Sequence, residues 1–301
     1  MVNVRKHLLI LGWLSLTACE TVVEIDVPLL PPQLVLHGLL MADTTNLVTL
    51  DRTINVLDRE KIEGEGGSLH VPNADILLLQ GNNVYPFRYR ETTERYALPF
   101  FLPTSGIQYT LEARAPGFPT AQASFTIPQP VGFKVEEVNY QSRENEIRVN
   151  CRIAIQDDGS EPRYFILRAA VRSVTYGESP SGTLDWFYQY AFKQLRSDFP
   201  TATEIFISEA DLLLTNSIFS QTNEVEFRFD TLPPTYDEQL VVTLYTITKE
   251  YYDYLIGADA NEDARENPLA EPVQIKSNVA NGLGVVGGAG VYTLELPAAD
   301  L

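Results

Sequence analysis

Cys19 is the residue whose type and surroundings most directly predict a chemical modification. It closes the run "LTAC", an aliphatic residue and two small residues ahead of a cysteine. This is the pattern of a bacterial lipobox, where signal peptidase II cuts before the cysteine and the thiol carries a diacylglycerol. The basic start at residues 5–7 and the short apolar run after it match a secretory signal. The sequence predicts removal of residues 1–18 and lipid attachment at Cys19, with ordinary cleavage after Ala18 as the alternative.

A lipid at Cys19 would anchor the protein without a spanning helix. Acyl chains contribute about 0.8 kcal/mol per buried methylene, so two or three of them hold a protein firmly on a membrane. No other apolar run approaches transmembrane length. We expect residues 19–33 to form an extended tether. Glu20 rather than Asp follows the cysteine, so retention at the inner membrane is not signalled.

The charge of the chain excludes one class of partner. The sequence has 22 Lys and Arg against 40 Asp and Glu, and cleavage would remove Arg5 and Lys6 but no acidic residue. The mature chain would therefore carry 20 basic residues against 40 acidic ones. Phosphate backbones repel such a body, so we expect no nucleic-acid binding. Anionic membrane surfaces would repel it too, which makes the lipid the expected means of attachment.

Glycines near the C-terminus have the spacing of a cofactor loop. Gly282, Gly284 and Gly287 formally match the dinucleotide-binding pattern, which requires a helix that opens at the glycines and an acidic residue about 20 positions later. Here a strand-like segment, "VYTLELP", follows instead. We therefore expect no cofactor. The glycines are expected to allow tight turns or the close approach of a partner's backbone.

An acidic segment offers a weak calcium candidate. Asp259, Asn261 and Asp263 occupy positions 1, 3 and 5 of a possible calcium loop. An EF-hand also needs Gly at position 6 and Glu at position 12, where this chain has Ala264 and Ala270. The helix-loop-helix calcium site is thus excluded. A looser site on the three residues and a solvated acidic loop remain the alternatives.

The other catalytic residue types lack a supporting pattern. His37 and His70, which remain after cleavage, show no spacing typical of a triad or a zinc site and are expected to be solitary structural residues. The carboxylate doublets at 136–137 and 157–158 could in principle serve glycoside hydrolysis. Neighbours on a strand point to opposite faces, so neither doublet can be a catalytic pair by itself.

Two further side-chain patterns are expected to belong to cores. Cys151 lies in "EIRVNCRIAI", where apolar and polar residues alternate, and is expected to be a buried structural thiol. Trp186, Tyr188 and Tyr190 share one face of a predicted strand. Such a row could stack on sugars or grip a partner, but we favour core or inter-domain packing.

Short alternating runs separated by Gly, Pro and Asn predict a mainly β protein. We expect an immunoglobulin-like β-sandwich over residues 34–128 and a second, larger β-rich domain over 131–301, with the boundary at "IPQPVGF". One or two short helices are expected in the second domain. One would follow a cap at Ser208 in "SEADLLLTN", and the other, in "TKEYYDYLIGADANED", could end at Gly257. Asn82-Asn83 is predicted at a hairpin turn.

The tail of the chain resembles a known family. Residues 266–292 are similar to the closing segment of the DUF4249 family of Bacteroidota lipoproteins, and the lipobox, "LVLHG" and "VPNADILL" fit that family as well. "NADILLLQGNNV" and "GIQYTLEARAPG" are also similar to carboxypeptidase-regulatory-like and transthyretin-like β-sandwich modules. The tail pattern N-P-x-x-x-P-x-x-x-x-S-N-x-x-N-G-x-G falls on Asn267, Pro268, Pro272, Ser277, Asn278, Asn281, Gly282 and Gly284.

The resemblance implies an outer-membrane lipoprotein, often encoded near a TonB-dependent receptor and thought to assist uptake. It carries over no enzyme activity and no binding residues. We therefore expect a non-catalytic accessory that binds a TonB-dependent receptor, its nutrient substrate, or both, at the cell surface. The candidate partner-binding residues are Asn278, Asn281, Gly282 and Gly284. A cell-surface hydrolase that uses acidic residues and a structural or adhesive surface module are the alternatives.

Overall fold

A computed structural model of the chain confirms a mainly β protein with several sheets. It describes residues 31–42, 44, 46–55, 68–143, 146–177, 187–194, 197–198, 205–208, 211–218, 223–231, 238–266 and 273–296. Residues Pro32–Leu301 form one compact unit. In the described part of the chain, no helix is long and apolar enough to cross a bilayer.

The described residues form eighteen strands and one α-helix near the C-terminus. Helix α1 spans Lys249–Glu266, between the last two strands. In chain order the strands are β1 (Leu34–Met41), β2 (Leu47–Arg52), β3 (Asp75–Gln80), β4 (Asn83–Pro86), β5 (Arg88–Arg90), β6 (Arg95–Ala97), β7 (Gln108–Arg114), β8 (Ala121–Thr126), β9 (Phe133–Arg143), β10 (Glu146–Ile155), β11 (Tyr164–Gly177), β12 (Phe187–Gln194), β13 (Ser197–Asp198), β14 (Ile205–Ser208), β15 (Asp211–Thr215), β16 (Glu224–Thr231), β17 (Glu238–Ile247) and β18 (Leu283–Glu295).

One long sheet is the common layer of the molecule. Its strand order is β14-β15-β11-β17-β18-β1-β2-β6-β5, and β12 pairs with β11 beside this path. Two four-stranded sheets have the orders β13-β16-β10-β9 and β4-β3-β7-β8. The immunoglobulin-like or transthyretin-like identity of the N-terminal module stays a prediction.

The alternation of apolar and polar residues along β10 builds the first buried cluster. Along β10 every second residue is buried, from Ile147 through Cys151 to Ile155. These side chains pack with Phe165 and Leu167 of β11 and with the inward residues of β16 and β17. The cluster therefore lies between the long sheet and the sheet that contains β10.

The second cluster lies among the N-terminal strands and is completed by the C-terminus. Leu34, Leu36 and Leu78 are fully buried within it, and Val279 and Val286 join it from the tail. The first half of β18 pairs parallel with β1, over residues 283–289, and the second half pairs antiparallel with β17, over residues 289–295. The predicted boundary at 128–131 stays a prediction, and β18 belongs to both sides of it.

Two local predictions are wrong, and a third, the turn of a hairpin that is present, is displaced by one residue. The predicted helix at Ser208 is absent: Asp211–Thr215 is strand β15, followed by a single 3-10 turn at Asn216–Ile218. Helix α1 is not short and does not end at Gly257, since it continues to Glu266. The hairpin between β3 and β4 turns at Gly81, with φ of 56°, and Asn82, because Asn83 already pairs with Gln80.

Candidate functional site

The candidate ligand site among the described residues is a cavity on the long sheet. Its volume is about 500 Å³, within the range of small-molecule sites. Strands β11, β17 and β18 form its floor, and the end of β1 with two loops forms its walls. The lining residues are Met41, Ala42, Thr44, Ser105, Pro130, Arg168, Ala170, Thr243, Tyr245, Val291 and Thr293.

Strand register brings the floor residues together. Thr243 of β17 lies opposite Arg168 of β11 on one side and opposite Thr293 of β18 on the other. Directly opposed residues in antiparallel strands point to the same face, so these three side chains form a row. The hydroxyl oxygens of Thr243 and Thr293 are 2.9 Å apart and hydrogen-bonded. The same face continues into a third cluster, which α1 covers with Tyr251 and other side chains.

A charged pair stands at one side of the floor. Arg168 and Asp211 lie directly opposite each other on β11 and β15. The guanidinium donates from Nε and Nη2 to the two Asp211 oxygens at 2.5 and 2.6 Å. It also lies over the ring of Tyr245, 5.2 Å from its centre, and Nη1 donates to the Tyr245 hydroxyl at 3.4 Å. Three of the five guanidinium N–H groups are thereby engaged.

The pKa values of Arg168 and Tyr245 are both shifted upward. Burial alone lowers the pKa of Arg168, but the hydrogen bonds that it donates to Asp211 and the neighbouring Tyr245 outweigh this effect, and the net shift is upward. Burial raises the pKa of Tyr245, against a smaller lowering by Arg168. At neutral pH the arginine is therefore charged and the tyrosine neutral. Neither group can exchange a proton easily, so the arrangement can hold and orient a ligand.

Sequence reasoning missed all three residues of this group. The available signal was weak: Arg168 interrupts the apolar run "YFILRAAV", and Asp211 precedes three leucines. Their pairing depends on the register between β11 and β15. A helix over residues 208–216, as predicted from the sequence, excludes that strand pairing.

The glycine-rich tail, by contrast, serves close packing within the chain. Gly284 has φ of 104°, and a Cβ there would lie 2.2 Å from the Leu36 carbonyl oxygen on β1. A Cβ on Gly288 would lie 2.7 Å from the Ile127 Cα, and one on Gly290 would lie 2.5 Å from the Pro128 carbonyl oxygen. The loop that follows β8 thus crosses directly over β18.

The candidate partner-binding residues also make contacts within the chain. Asn278 bonds both backbone polar groups of Val286, accepting from its N–H at 3.0 Å and donating to its carbonyl at 2.7 Å. Asn281 is exposed, has φ of 57° and donates to the Thr120 carbonyl at 3.3 Å. A Cβ on Gly282 would lie 2.8 Å from the Leu34 carbonyl oxygen. A partner role for these residues and for Gly284 stays a prediction.

The acidic segment is not a loop. Asp259, Asn261 and Asp263 all lie on α1. Residues four apart share a helix face, whereas a residue two positions on lies on the opposite side. Within the described residues, no group of three His, Cys, Asp or Glu side chains is arranged to hold a metal. The loose calcium site on Asp259, Asn261 and Asp263 stays a prediction without support from backbone geometry.

His70 is not solitary, which corrects the expectation from sequence. Its Nδ1 lies 2.5 Å from Asp51 Oδ1, and its Nε2 lies 3.3 Å from a Glu94 oxygen. His37 packs on the ring of Tyr254, at 5.4 Å between centroids. Burial lowers the pKa of His37, against a smaller upward effect of Asp51. Both histidines lie near the Asp51 carboxylate, and neither lines the cavity on the long sheet.

The carboxylate doublets have structural partners. Asp157 is buried and accepts hydrogen bonds from Arg163 and from Asn216 Nδ2, the latter at 2.8 Å. Hydrogen bonds from Ser160 lower the pKa of its exposed neighbour Asp158. Glu137 pairs with Arg152 across the strand. Asp157 and Glu137 are thus engaged within the chain, and the lowered pKa of Asp158 makes that residue a poor general acid.

Cys151 is buried as expected, and burial raises its pKa to about 12. Its thiol is therefore protonated and unreactive at neutral pH. Cys19 lies outside the described residues. The same holds for Trp186 and for the side chains of Tyr188 and Tyr190, which share β12, so the aromatic row stays a prediction.

Comparisons with known proteins extend the resemblance seen in the tail. A family model described as "Domain of unknown function (DUF4249)" matches residues 20–295. A search among curated proteins finds no match. A crystal structure from Corynebacterium diphtheriae, described as membrane anchored, is 11% identical and has a TM-score of 0.20; the match covers 71% of this chain and 54% of that one. The Danio rerio Fcho1 Mu homology domain with bound Eps15 peptide is 8% identical, at 88% and 94% coverage and a TM-score of 0.21. Scores this low carry no argument about the site.

Proposed function

We propose, from the premise that this chain belongs to the DUF4249 family, that it is a non-catalytic binding protein anchored by lipid at the outer membrane of a Bacteroidota cell. Its role would be to bind a nutrient, a TonB-dependent receptor, or both. The observation that carries the binding role is the cavity on β11, β17 and β18, with its neutralised Arg168–Asp211 pair.

The lining defines the chemistry of the ligand. Met41, Ala42, Ala170 and Val291 offer apolar contact, while threonine and serine hydroxyls offer isolated hydrogen bonds. Asp211 already balances the charge of the guanidinium, so the cavity does not call for an anion. Two guanidinium N–H groups have no partner among the described residues and can donate to a neutral oxygen. We expect an uncharged, mainly apolar molecule with an oxygen acceptor at one end.

The anchor and the receptor follow from separate observations. The lipobox at Cys19 and the signal-like residues before it support lipid attachment. The acidic composition supports a protein partner with basic surface over a nucleic acid. Asn281 is the one exposed residue among the four tail candidates and offers an accessible contact beside β18.

A neutral fluorescent probe tests the cavity directly. Nile red is uncharged, mainly apolar and carries a carbonyl, so it should bind saturably with enhanced, blue-shifted emission. Ala170→Leu places a larger side chain in the floor and should weaken binding at least about tenfold, since each 1.4 kcal/mol is a factor of ten. Ala280→Leu makes the same change at an exposed position outside the cavity and should leave binding unchanged.

The same titration can contradict the site. If Ala170→Leu binds Nile red as well as the unchanged protein while both melt at similar temperatures, the dye is elsewhere and the cavity is not a ligand site. The anionic probe anilinonaphthalene sulfonate should bind more weakly than Nile red. Tighter binding of the anion would show that the guanidinium is not neutralised as proposed.

The receptor half of the proposal needs a native membrane. A C-terminally tagged copy, extracted in mild detergent, should recover a TonB-dependent receptor at stoichiometric level by mass spectrometry. A Cys19→Ala copy is the unanchored control and should lose that recovery if the anchor is needed for access. Recovery of the tagged protein alone would exclude a stable complex and favour the hydrolase or adhesive alternatives.

A further inference from the structure

The hairpin of β5 and β6 carries an unusual concentration of positive charge for an acidic chain. Arg88, Arg90 and Arg95 are all exposed, within a protein of formal charge −18. Arg90 lies directly opposite Arg95 across the two strands. Like charges at directly opposed positions destabilise a strand pair, so local stability does not explain their presence. We refer to Arg88, Arg90 and Arg95 as the basic hairpin.

All three arginines lie on one face. Arg88 and Arg90 are two residues apart on β5, and Arg95 is the partner of Arg90, whereas Tyr89 and Tyr96 pair on the other face with ring centroids 5.0 Å apart. No ion pair to these arginines is found among the described residues.

One acidic residue of the turn has a partner outside the basic hairpin. Glu94 contacts His70 at 3.3 Å. Desolvation, and then the charges of Glu94 and Glu91, raise the pKa of Tyr89. Glu94 is therefore engaged by His70, and no ion pair joins it to the arginine face among the described residues.

An exposed apolar loop adjoins this face. Phe100 is 96% exposed and Leu102 is 52% exposed. The Arg88 guanidinium lies 5.9 Å from the centre of the Phe100 ring, so the aromatic side chain and the basic hairpin form one surface. Exposed large apolar side chains beside cations are typical of surfaces that contact a membrane interface.

The loop holds Phe100 outward at a cost to the fold. Phe100 has φ of 61°, a left-handed conformation that is strained for a bulky residue. Its neighbour Phe101 stacks on Tyr85 at 3.6 Å, and the Thr104 N–H donates to the Tyr109 hydroxyl at 2.9 Å. These contacts fix the loop on both sides of the exposed ring. Strain of this kind concentrates at functional sites.

We propose that the basic hairpin with Phe100 and Leu102 is a docking surface for a lipid bilayer that contains anionic headgroups. The arginines contact the headgroups, and the two apolar side chains enter the interface. The rest of the acidic body is repelled by the same headgroups, so this face alone can approach. The surface therefore sets the orientation of the protein on the membrane and does not depend on the cavity.

Vesicle sedimentation tests the proposal on the chain from Glu20 to Leu301, which keeps the compact unit and lacks any acyl group. Phosphatidylcholine vesicles with and without phosphatidylglycerol are compared. The chain should bind only the anionic vesicles, and more weakly as salt is raised. Replacing the three arginines of the basic hairpin by Gln should reduce binding about a hundredfold, because each cation near an anionic leaflet contributes about fivefold.

A matched triple variant separates local from overall charge. Arg114→Gln, Lys134→Gln and Lys276→Gln together remove the same net charge from other exposed positions and should bind anionic vesicles nearly as well as the unchanged chain. Equal loss in both triple variants would overturn the proposal, because binding would then follow net charge alone. Failure of the unchanged chain to bind anionic vesicles would overturn it too, and would favour a protein partner for this surface.

Phe100→Gly distinguishes a docking role from a structural one. Glycine adopts positive φ without strain, so the melting temperature should rise by roughly 2 °C. Vesicle binding should fall about tenfold through loss of the inserted ring. If the melting temperature instead falls along with vesicle binding, Phe100 has a structural role and the docking surface is refuted.

Discussion

The Arg168–Asp211 pair offers the sharpest test of how the cavity is built. We consider three variants: Arg168→Met, Asp211→Leu and the double variant. Each single change leaves one partner of a largely buried pair without its counter-charge, whereas the double change replaces both with apolar side chains of similar size. Removing one partner of a buried pair is strongly destabilising, while removing both is often nearly neutral.

The structure sets the size of the effect. The pair is joined by two charge-assisted hydrogen bonds, and bonds of this kind contribute about 1.5–3 kcal/mol each. The side chains are 27% and 13% exposed, so water screens part of this energy. We therefore expect each single variant to lose about 3 kcal/mol of unfolding free energy. The double variant should lose no more than either single variant, which gives a coupling energy of about 3 kcal/mol.

Urea denaturation of the chain from Glu20 to Leu301, followed by intrinsic fluorescence and by circular dichroism, provides the free energies. The two probes must give coincident transitions for the cycle to be valid. If the losses of the two single variants add in the double variant, with coupling below about 0.5 kcal/mol, the guanidinium and carboxylate do not act as a pair. In that case the neutral character assigned to the cavity would also be wrong.

Three further predictions use positions with a matched control. Gly284→Ala should lower the unfolding free energy by more than about 3 kcal/mol in a urea titration, because its Cβ would lie 2.2 Å from a carbonyl oxygen of β1. Gly117 has a similar φ but open space around it, so Gly117→Ala should cost only about 1 kcal/mol in the same titration. Cys151 should resist alkylation by iodoacetamide at pH 8 until urea unfolds the chain, because burial raises its pKa to about 12; labelling of the native protein would refute that burial. Asp157→Ala should cost about 2–3 kcal/mol through loss of buried charge-assisted hydrogen bonds, and Asp158→Ala, at the exposed neighbour, should lower the melting temperature much less; equal melting temperatures would contradict the assigned network.

The fold class could be predicted because much of it is written in local periodicity. In "EIRVNCRIAI" the period of two reports one buried face directly, and β10 follows it from end to end. The prediction for residues 211–215 was wrong because the same periodicity is missing there. Leu212 and Leu214 enter the first cluster while Leu213 enters the third, so both faces of β15 are buried and no alternation is left to read.

Gly257 shows the opposite error, in which a local signal was read correctly but overridden. Glycine often ends a helix, and inside one it costs about 1 kcal/mol relative to alanine. Here α1 continues for nine more residues, through Glu266. Tyr251, Tyr252 and Leu255 pack on the third cluster, and residues 258–261, beyond the glycine, are still half-buried, so packing continues past it. No pattern in the sequence gives the sheet surface that provides it.

The tail pattern and the cavity lie at different places on β18. The pattern carries the family resemblance, and the cavity carries the proposed function. Asn278 and Gly284 fix the first half of β18 against β1, through bonds to its own backbone and a close backbone approach. Val291 and Thr293, in the second half, line the cavity and lie outside the pattern. The pattern therefore reports how the last strand joins the long sheet, while the proposed binding depends on residues outside the pattern. A family defined by such a pattern can share one fold and still bind different ligands, because replacing Arg168 or Thr293 need not disturb the contacts that hold β18 in place.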